Sequence, residues 1–314
     1  MKIPKFWANE TQSVQGQGGK AYRLSCWQWS DNSAEEAKRL ARERAQELVR
    51  KVQNGWALDR YSYGERPVRE EIKEVISAGD RKEVGVITRN RYGALVLNSA
   101  YAMFIDIDFD EGARTENPQN APQMPELAGL ADGLISGIKS LFGTKQQMPG
   151  VGTSPAAAPQ PSPADRQLRR IEETAARYPD LDLRVYRTFA GLRCLITNQI
   201  FDPASADTAE LMRSLGSDPL YMRLCRQQEC FRARLTAKPW RCGADRPPFQ
   251  YPWPAGRQEA IYRQWEQRYS AISQRFTACS FVKLIGRGKI HPDLEPVLAF
   301  HDRVACSHPG VQLA

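Results

Sequence analysis

The stretch YAMFIDIDFDEG, residues 101–112, sets both the fold and the chemistry to expect. Tyr101 to Ile105 lead into a carboxylate, after which Asp106, Asp108 and Asp110 alternate with Ile107 and Phe109. Side chains along a strand alternate between faces, so the three acids share one side. A strand leaving an apolar core hides carboxylates only when they are paired or hold a cation. Asp106 and Asp108 are spaced to share a divalent ion. Hard Mg²⁺ or Mn²⁺ prefers such oxygen donors and keeps positions open for phosphate oxygens. The plain alternative is an exposed edge strand with solvated acids.

Working outward, EVGVITRNRYGALVLNS reads as a hairpin, with strands near 83–89 and 94–98 around the turn NRYG, and 101–109 follows as a third strand. Upstream, KAYRLSCWQWS (20–30) is a strand. In SAEEAKRLARERAQELVRKVQNG, a helix starts at the N-cap Ser33, Glu36 completes a capping box, and Gly55 ends the run. The first part is thus a strand, a helix and a meander that delivers the aspartates. Downstream, ADRQLRRIEETAARYP predicts a helix, and LDLRVYRTFAGLRCLITNQIFDP two strands around the turn TFAG. A short helix near 206–215 and a long one over QEAIYRQWEQRYSAISQRFTAC follow. The class is α+β: antiparallel sheets with flanking helices.

Residues 111–163 change character. GVGTSPAAAPQPSPAD predicts a flexible, disordered tether. Within the insert, Leu127, Leu130, Leu134, Ile138 and Leu141 fall at helical spacing, near 125–142. That segment is either a small helix folded back on the core or an amphipathic helix that docks on a protein partner or a membrane. Three parts result: 1–110 with the Asp-x-Asp strand, the insert at 111–163, and 164–314 with a basic segment and a helical tail.

The net charge of +8 favours polyanionic partners. It is concentrated in CFRARLTAKPWR, where Arg232 and Arg234 share a strand face and Lys238 and Arg241 lie just beyond. Clustered guanidinium groups suit bidentate phosphate binding. Tyr221, Phe231, Trp240, Phe249, Tyr251 and Trp253 add surface that can stack on bases. A solvated basic face over core aromatics is the plainer reading. In VYRTFAGLRCLIT, Arg187 and Arg193 flank a turn.

A strand ending FIDID, then a strand–turn–strand YRTFAGLR, resembles the archaeo-eukaryotic primase superfamily, which includes small primase subunits and primase-polymerases. The resemblance covers roughly residues 80–240 without the insert. It implies a primase-type, RRM-like catalytic core. It implies Asp106 and Asp108 as ligands of catalytic Mg²⁺ or Mn²⁺, and nucleoside triphosphate and nucleic acid as partners. The reaction would be nucleotidyl transfer, with in-line attack by a 3′-hydroxyl and release of pyrophosphate. Thr188 and Gly191 match the family's phosphate-contacting turn, but Arg193 stands where the family has a histidine. Arginine holds a triphosphate but is neither a neutral base nor a tautomeric donor. Arg187, Thr188, Arg193, Arg232, Arg234 and Lys238 are then the nucleotide- and phosphate-binding residues. Asp202, Asp218 and Asp302 are the candidates for the family's third acid. The missing histidine keeps a second class open, an inactive relative that binds nucleic acid or serves as an adaptor. A third is another Asp-x-Asp enzyme, such as a sugar-nucleotide transferase.

HDRVACSH brings His301, Cys306 and His308 close in sequence, and Cys279 is a further thiol; zinc uses such ligands, but the spacing fits no established pattern. IGRGKIHP is too short for a phosphate loop and lacks its strand–loop–helix frame. No Ser–His or Cys–His nucleophile pair is evident. Seven scattered cysteines without a C-x-x-C fit a reduced, cytoplasmic setting. MKIPKFWANE lacks an apolar signal core, and no run is long enough for a transmembrane segment.

Overall fold

The computed structural model describes residues 1–55, 67–79, 82–109, 161–253, 256–306 and 310–314. The chain opens with an antiparallel hairpin of β1 (Phe6–Gln15) and β2 (Ala21–Ser30). Sequence marks β2 but not β1, whose FWANETQSVQ carries few β-branched residues; its order comes from pairing along its full length with β2. Helix α1 (Ala34–Gln53) lies across the hairpin, and the small side chains of Ala37 and Ala41 let it pack closely on Ala8. Ser33 Oγ accepts from Glu36 N–H at 3.1 Å. The reciprocal half of the expected capping box does not form. The Glu36 carboxylate is taken by Ser30 Oγ and Asn32 Nδ2 instead.

The chain continues through β3 (Glu71–Ala78), β4 (Lys82–Arg89), β5 (Leu95–Ser99), β6 (Phe104–Asp108), α2 (Pro163–Ala175), β7 (Leu183–Thr188) and β8 (Gly191–Ile196). Then come α3 (Ala206–Ser214), α4 (Pro219–Gln228), β9 (Phe231–Arg234), α5 (Arg257–Ser273), β10 (Phe276–Thr277), β11 (Cys279–Ile285), α6 (Glu295–Ala305) and β12 (Gln312–Leu313). Two four-stranded sheets form the body, with strand orders β3-β4-β5-β9 and β11-β7-β8-β6. Both are antiparallel, so the fold is α+β. Among the described residues no helix is long and apolar enough to cross a membrane.

Three expectations are corrected. The β4–β5 hairpin forms around the turn at 90–93, but β6 does not continue the meander. Both edges of β5 are filled, by β4 and β9, so the chain crosses to the second sheet and pairs β6 with β8. The long helix stops at Ser273, and a turn leads into the strands Phe276–Thr277 and Cys279–Ile285; Phe276, Thr277, Phe281 and Val282 favour extended backbone. The tail is therefore not helical throughout. Ser162 and Asp165 form a capping box that starts α2 at Pro163, so the helix begins inside the segment assigned to the insert. The rest of the insert, its helix near 125–142, Asp110 and His308 lie outside the described residues.

In β6, Phe104 and Ile105 are fully buried, Asp106 is half-buried and Asp108 is exposed, so the strand runs outward from the core. Gly191 stands opposite Asp108, and a Cβ there would lie 2.1 Å from Ile107 O. Gly191→Ala must therefore part β6 from β8. It should lower unfolding stability by about 1–3 kcal/mol. An unchanged denaturant midpoint would show that the two backbones are not so closely apposed.

Charge docks α5 on the first sheet. Glu266 pairs with Lys73 Nζ at 2.6 Å, Arg89 Nε at 2.9 Å and Arg263 Nη1 at 2.8 Å, and Arg263 also grips Glu71. Burial alone would raise the Glu266 pKa, but hydrogen bonds from Lys73 and Arg263 and the Arg89 charge bring it down to about 2. A carboxyl whose pKa is depressed by folding stabilises the fold above its unfolded value of 4.5, and that contribution fades as pH falls towards about 2. Glu266→Gln should cost about 2–3 kcal/mol near neutral pH and flatten the loss of stability over that acid range. Superimposable stability–pH curves for variant and wild type would rule the network out.

Candidate functional site at the seam of the two sheets

β6 and β9 are edge strands of their respective sheets, and the Tyr221 hydroxyl of α4 joins them. It lies 2.9 Å from Phe104 O and 3.0 Å from Arg232 O, and it accepts from Arg232 N–H at 3.2 Å. Asp218 caps α4 by accepting from Tyr221 N–H at 2.7 Å, and its own N–H donates to Asp106 O at 3.0 Å. Helix α4 is thus pinned to β6 beside the aspartates.

Arg193 crosses the same seam from β8. It stands opposite Asp106 on one neighbouring strand and Tyr186 on the other. Its Nε donates to Asp106 Oδ1 at 2.9 Å and its Nη1 to Arg234 O at 2.8 Å. Only 2% of Arg193 is exposed. Burial alone would lower its pKa, but the Asp106 charge and hydrogen bond outweigh burial and hold the guanidinium charged. The structure places Arg193 behind the acids, with its donors committed, not extended into solvent.

In front of it, a cavity of about 220 Å³ is lined by Asp106, Asp108, Thr188, Arg193, Arg234 and Lys238, with Asp218 and Arg241. Two of the expected phosphate ligands lie elsewhere. Arg232 opens into an adjoining cavity of about 460 Å³, where both Glu70 oxygens accept from its Nη2 at 2.8 and 2.6 Å. Arg187 donates to Gly191 O at 2.8 Å and lies over the Phe109 ring, bracing the β7–β8 turn. The two cavities share Asp106, Tyr221 and Arg234. Of the three candidates for a third acid, Asp218 lines the smaller cavity. Asp202 caps its own loop through Ala204 N–H at 2.8 Å, and Asp302 lies behind Arg193 with His301, Tyr186 and Arg184.

Three carboxylates and four cations line the smaller cavity, which favours an added anion. Arg234 Nη1 donates to Thr236 O at 2.8 Å and Ala314 O at 2.7 Å. Burial and the nearby charges of Arg193 and Arg241 push its pKa down to about 10. Asp106, Asp108 and Asp218 line this cavity together, but among the described residues the one group of three or more metal-type side chains with donor atoms within 4.8 Å of one another is Cys279, His301 and Cys306. Close by, Arg241 lies 4.1 Å over the exposed Phe189 ring, and the exposed Trp240 has Lys238 at 5.5 Å and Arg246 at 5.2 Å. Two other aromatics of the basic segment serve packing: Phe231 is buried, and Trp253 stacks on Tyr262 at 3.8 Å.

Behind Arg193 the fold makes a Cys–His contact that sequence spacing did not reveal. Cys279 Sγ lies 3.8 Å from His301 Nε2, with both residues fully buried.

Asp106→Asn leaves a buried guanidinium without its counter-charge, whereas Asp108→Asn does not. The first should cost about 1–3 kcal/mol more than the second. Equal denaturant midpoints for the two variants would contradict the Arg193–Asp106 tie.

No family model matches the sequence, and no curated protein or solved structure matches it significantly.

Proposed function

We propose that the chain carries out divalent-metal-dependent nucleotidyl transfer, of the primase-polymerase kind, in the cavity at the seam. The observation behind this reading is convergence. Asp106 and Asp108 from β6, Asp218 at the start of α4, Arg193 from β8, Arg234 from β9 and Lys238 and Arg241 beyond it all meet in one cavity of about 220 Å³. Asp106 and Asp108 would hold Mg²⁺ or Mn²⁺ once their carboxylates draw together, with Asp218 lining the same cavity, and the ion when bound would neutralise phosphate charge and make a nearby hydroxyl more acidic. Arg234, Lys238 and Arg241 take the remaining phosphate charge. Arg193 orients Asp106 from behind. The adjoining cavity of about 460 Å³ has the volume for a nucleoside, and Phe189 and Trp240 offer stacking faces for bases.

One observation favours a second reading. Arg193 already holds Asp106 Oδ1, and a guanidinium beside an acid competes with a cation for it. On that reading the cavity binds nucleic-acid phosphates without turnover.

The test is incorporation of nucleotides on primed and unprimed DNA with Mg²⁺ or Mn²⁺, beside oligonucleotide binding over a salt series. Nucleotidyl transfer requires incorporation by the wild type that is lost in Asp108→Asn. Binding alone requires no incorporation, with the salt slope falling by about 0.7–0.9 in each of Arg234→Ala and Lys238→Ala. A wild type that neither incorporates nor binds refutes both readings.

A further inference from the structure

We propose that Cys279, His301 and Cys306 form a thiophilic metal site, suited to Zn²⁺, in the core behind Arg193. This inference does not rest on the reading of the aspartate cavity. Cys279 opens β11, His301 lies within α6 and Cys306 is the C-cap of that helix. The donor atoms of all three lie within 4.8 Å of one another. Cys279 Sγ is 3.4 Å from Cys306 Sγ and 3.8 Å from His301 Nε2. A tetrahedral zinc with bonds of about 2.3 Å to sulfur and about 2.0 Å to nitrogen spaces its ligand atoms about 3.5–3.8 Å apart. The two Cys279 spacings need shifts of a few tenths of an ångström, and Cys306 closes on the imidazole nitrogen from within 4.8 Å to seat the ion.

The surroundings are those of a ligand, not of passive packing. His301 Nδ1 lies 3.0 Å from Asp302 Oδ1, so Nδ1 carries the proton and Nε2 offers its lone pair towards Cys279 Sγ. Asp302 is itself held by the Tyr186 hydroxyl at 2.8 Å and Arg184 Nη2 at 2.9 Å. A metal-bound imidazole is typically supported by such a second carboxylate. The rings of Phe104 and Tyr186 pack on the imidazole at 5.1 and 4.9 Å and fix its plane. Two sulfurs and a nitrogen select zinc over magnesium or manganese. Cys306, half-buried, gives the ion a way in and leaves a fourth position for water.

One contact competes. Arg193 Nη1 lies 3.4 Å from His301 Nε2, but it makes its shorter bond, 2.8 Å, to Arg234 O and keeps that bond when the lone pair goes to a metal. Charge also balances. The ion displaces the two thiol protons to solvent, and the two thiolates neutralise the dication. The Arg193 charge is left to Asp106.

The experiment is metal analysis of the purified, reduced chain, followed by Co²⁺ titration. We expect one zinc per chain, and with Co²⁺ the absorption bands of a tetrahedral thiolate site with release of two protons per ion. Because replacing fully buried Cys279 or His301 can unfold the core, the diagnostic variant is Cys306→Ser, with circular dichroism to verify its fold. It should lose the cobalt bands, while Cys242→Ser, in a separate apolar cluster, keeps them. A reduced wild type that takes up neither zinc nor cobalt overturns the proposal, as do undiminished bands in Cys306→Ser. A Cys279–Cys306 disulfide in chain alkylated at lysis overturns it too, and assigns the pair to redox chemistry.

Discussion

Arg193 heads the fully buried side chains by volume among the described residues, and a guanidinium cannot shed its charge to enter a core. Its presence therefore constrains everything around it. β6 must bring Asp106 to Nε, and β9 must bring the Arg234 carbonyl to Nη1. α6 must lay the edge of the His301 ring against its other flank. Such a buried pair contributes little net stability against a well-packed apolar substitute, but an arrangement that fails to supply each partner is penalised. What the arginine enforces is the relative position of two sheets and a helix, and with it the place where the aspartates emerge.

The guanidinium also divides the interior by donor chemistry. On its solvent side stand carboxylates and further cations, all oxygen and nitrogen groups. On its inner side stand two sulfurs and an imidazole. The two groups are only one side chain apart, yet their donor chemistry differs. Asp302 and Asp106 play parallel parts, each fixing the proton-bearing face of a ring or fork that the other cluster does not use.

Much of the local structure was legible in the sequence. Ser33 as an N-cap, the turn at 90–93 and the strand pair around TFAG all follow from short-range chemistry, which depends on neighbouring residues only. The partner of β6 was not legible. Alternation along FIDID specifies which side chains share a face but not which strand lies alongside, and that was decided by β9 filling the edge of β5. Asp218 stood among three candidates for a third acid, but α4, the helix that it caps, was not read from the sequence. Arg193 stood out as a departure from a motif, but its burial depends on Asp106, Arg234 and His301, which lie far from it in the chain. The Cys279, His301 and Cys306 set escaped a spacing argument because a strand and a helix, not a loop, bring it together.

The pairings that build the seam carry a kinetic consequence. The hairpins β1–β2, β4–β5 and β7–β8 close over short stretches of chain. Asp106 and Arg193, by contrast, are 87 residues apart, and the hydrogen bond from Leu95 N–H to Thr236 Oγ1 that flanks β5–β9 spans 141. Closing such distances costs chain entropy before any contact rewards it, so these ladders belong late on the folding path. Before they close, a newly made chain would present unpaired edges on β5 and β8 together with an uncompensated arginine. The interval between synthesis of β6 and of β9 is then the period in which this protein is most exposed to misassociation, and in which a chaperone would matter most.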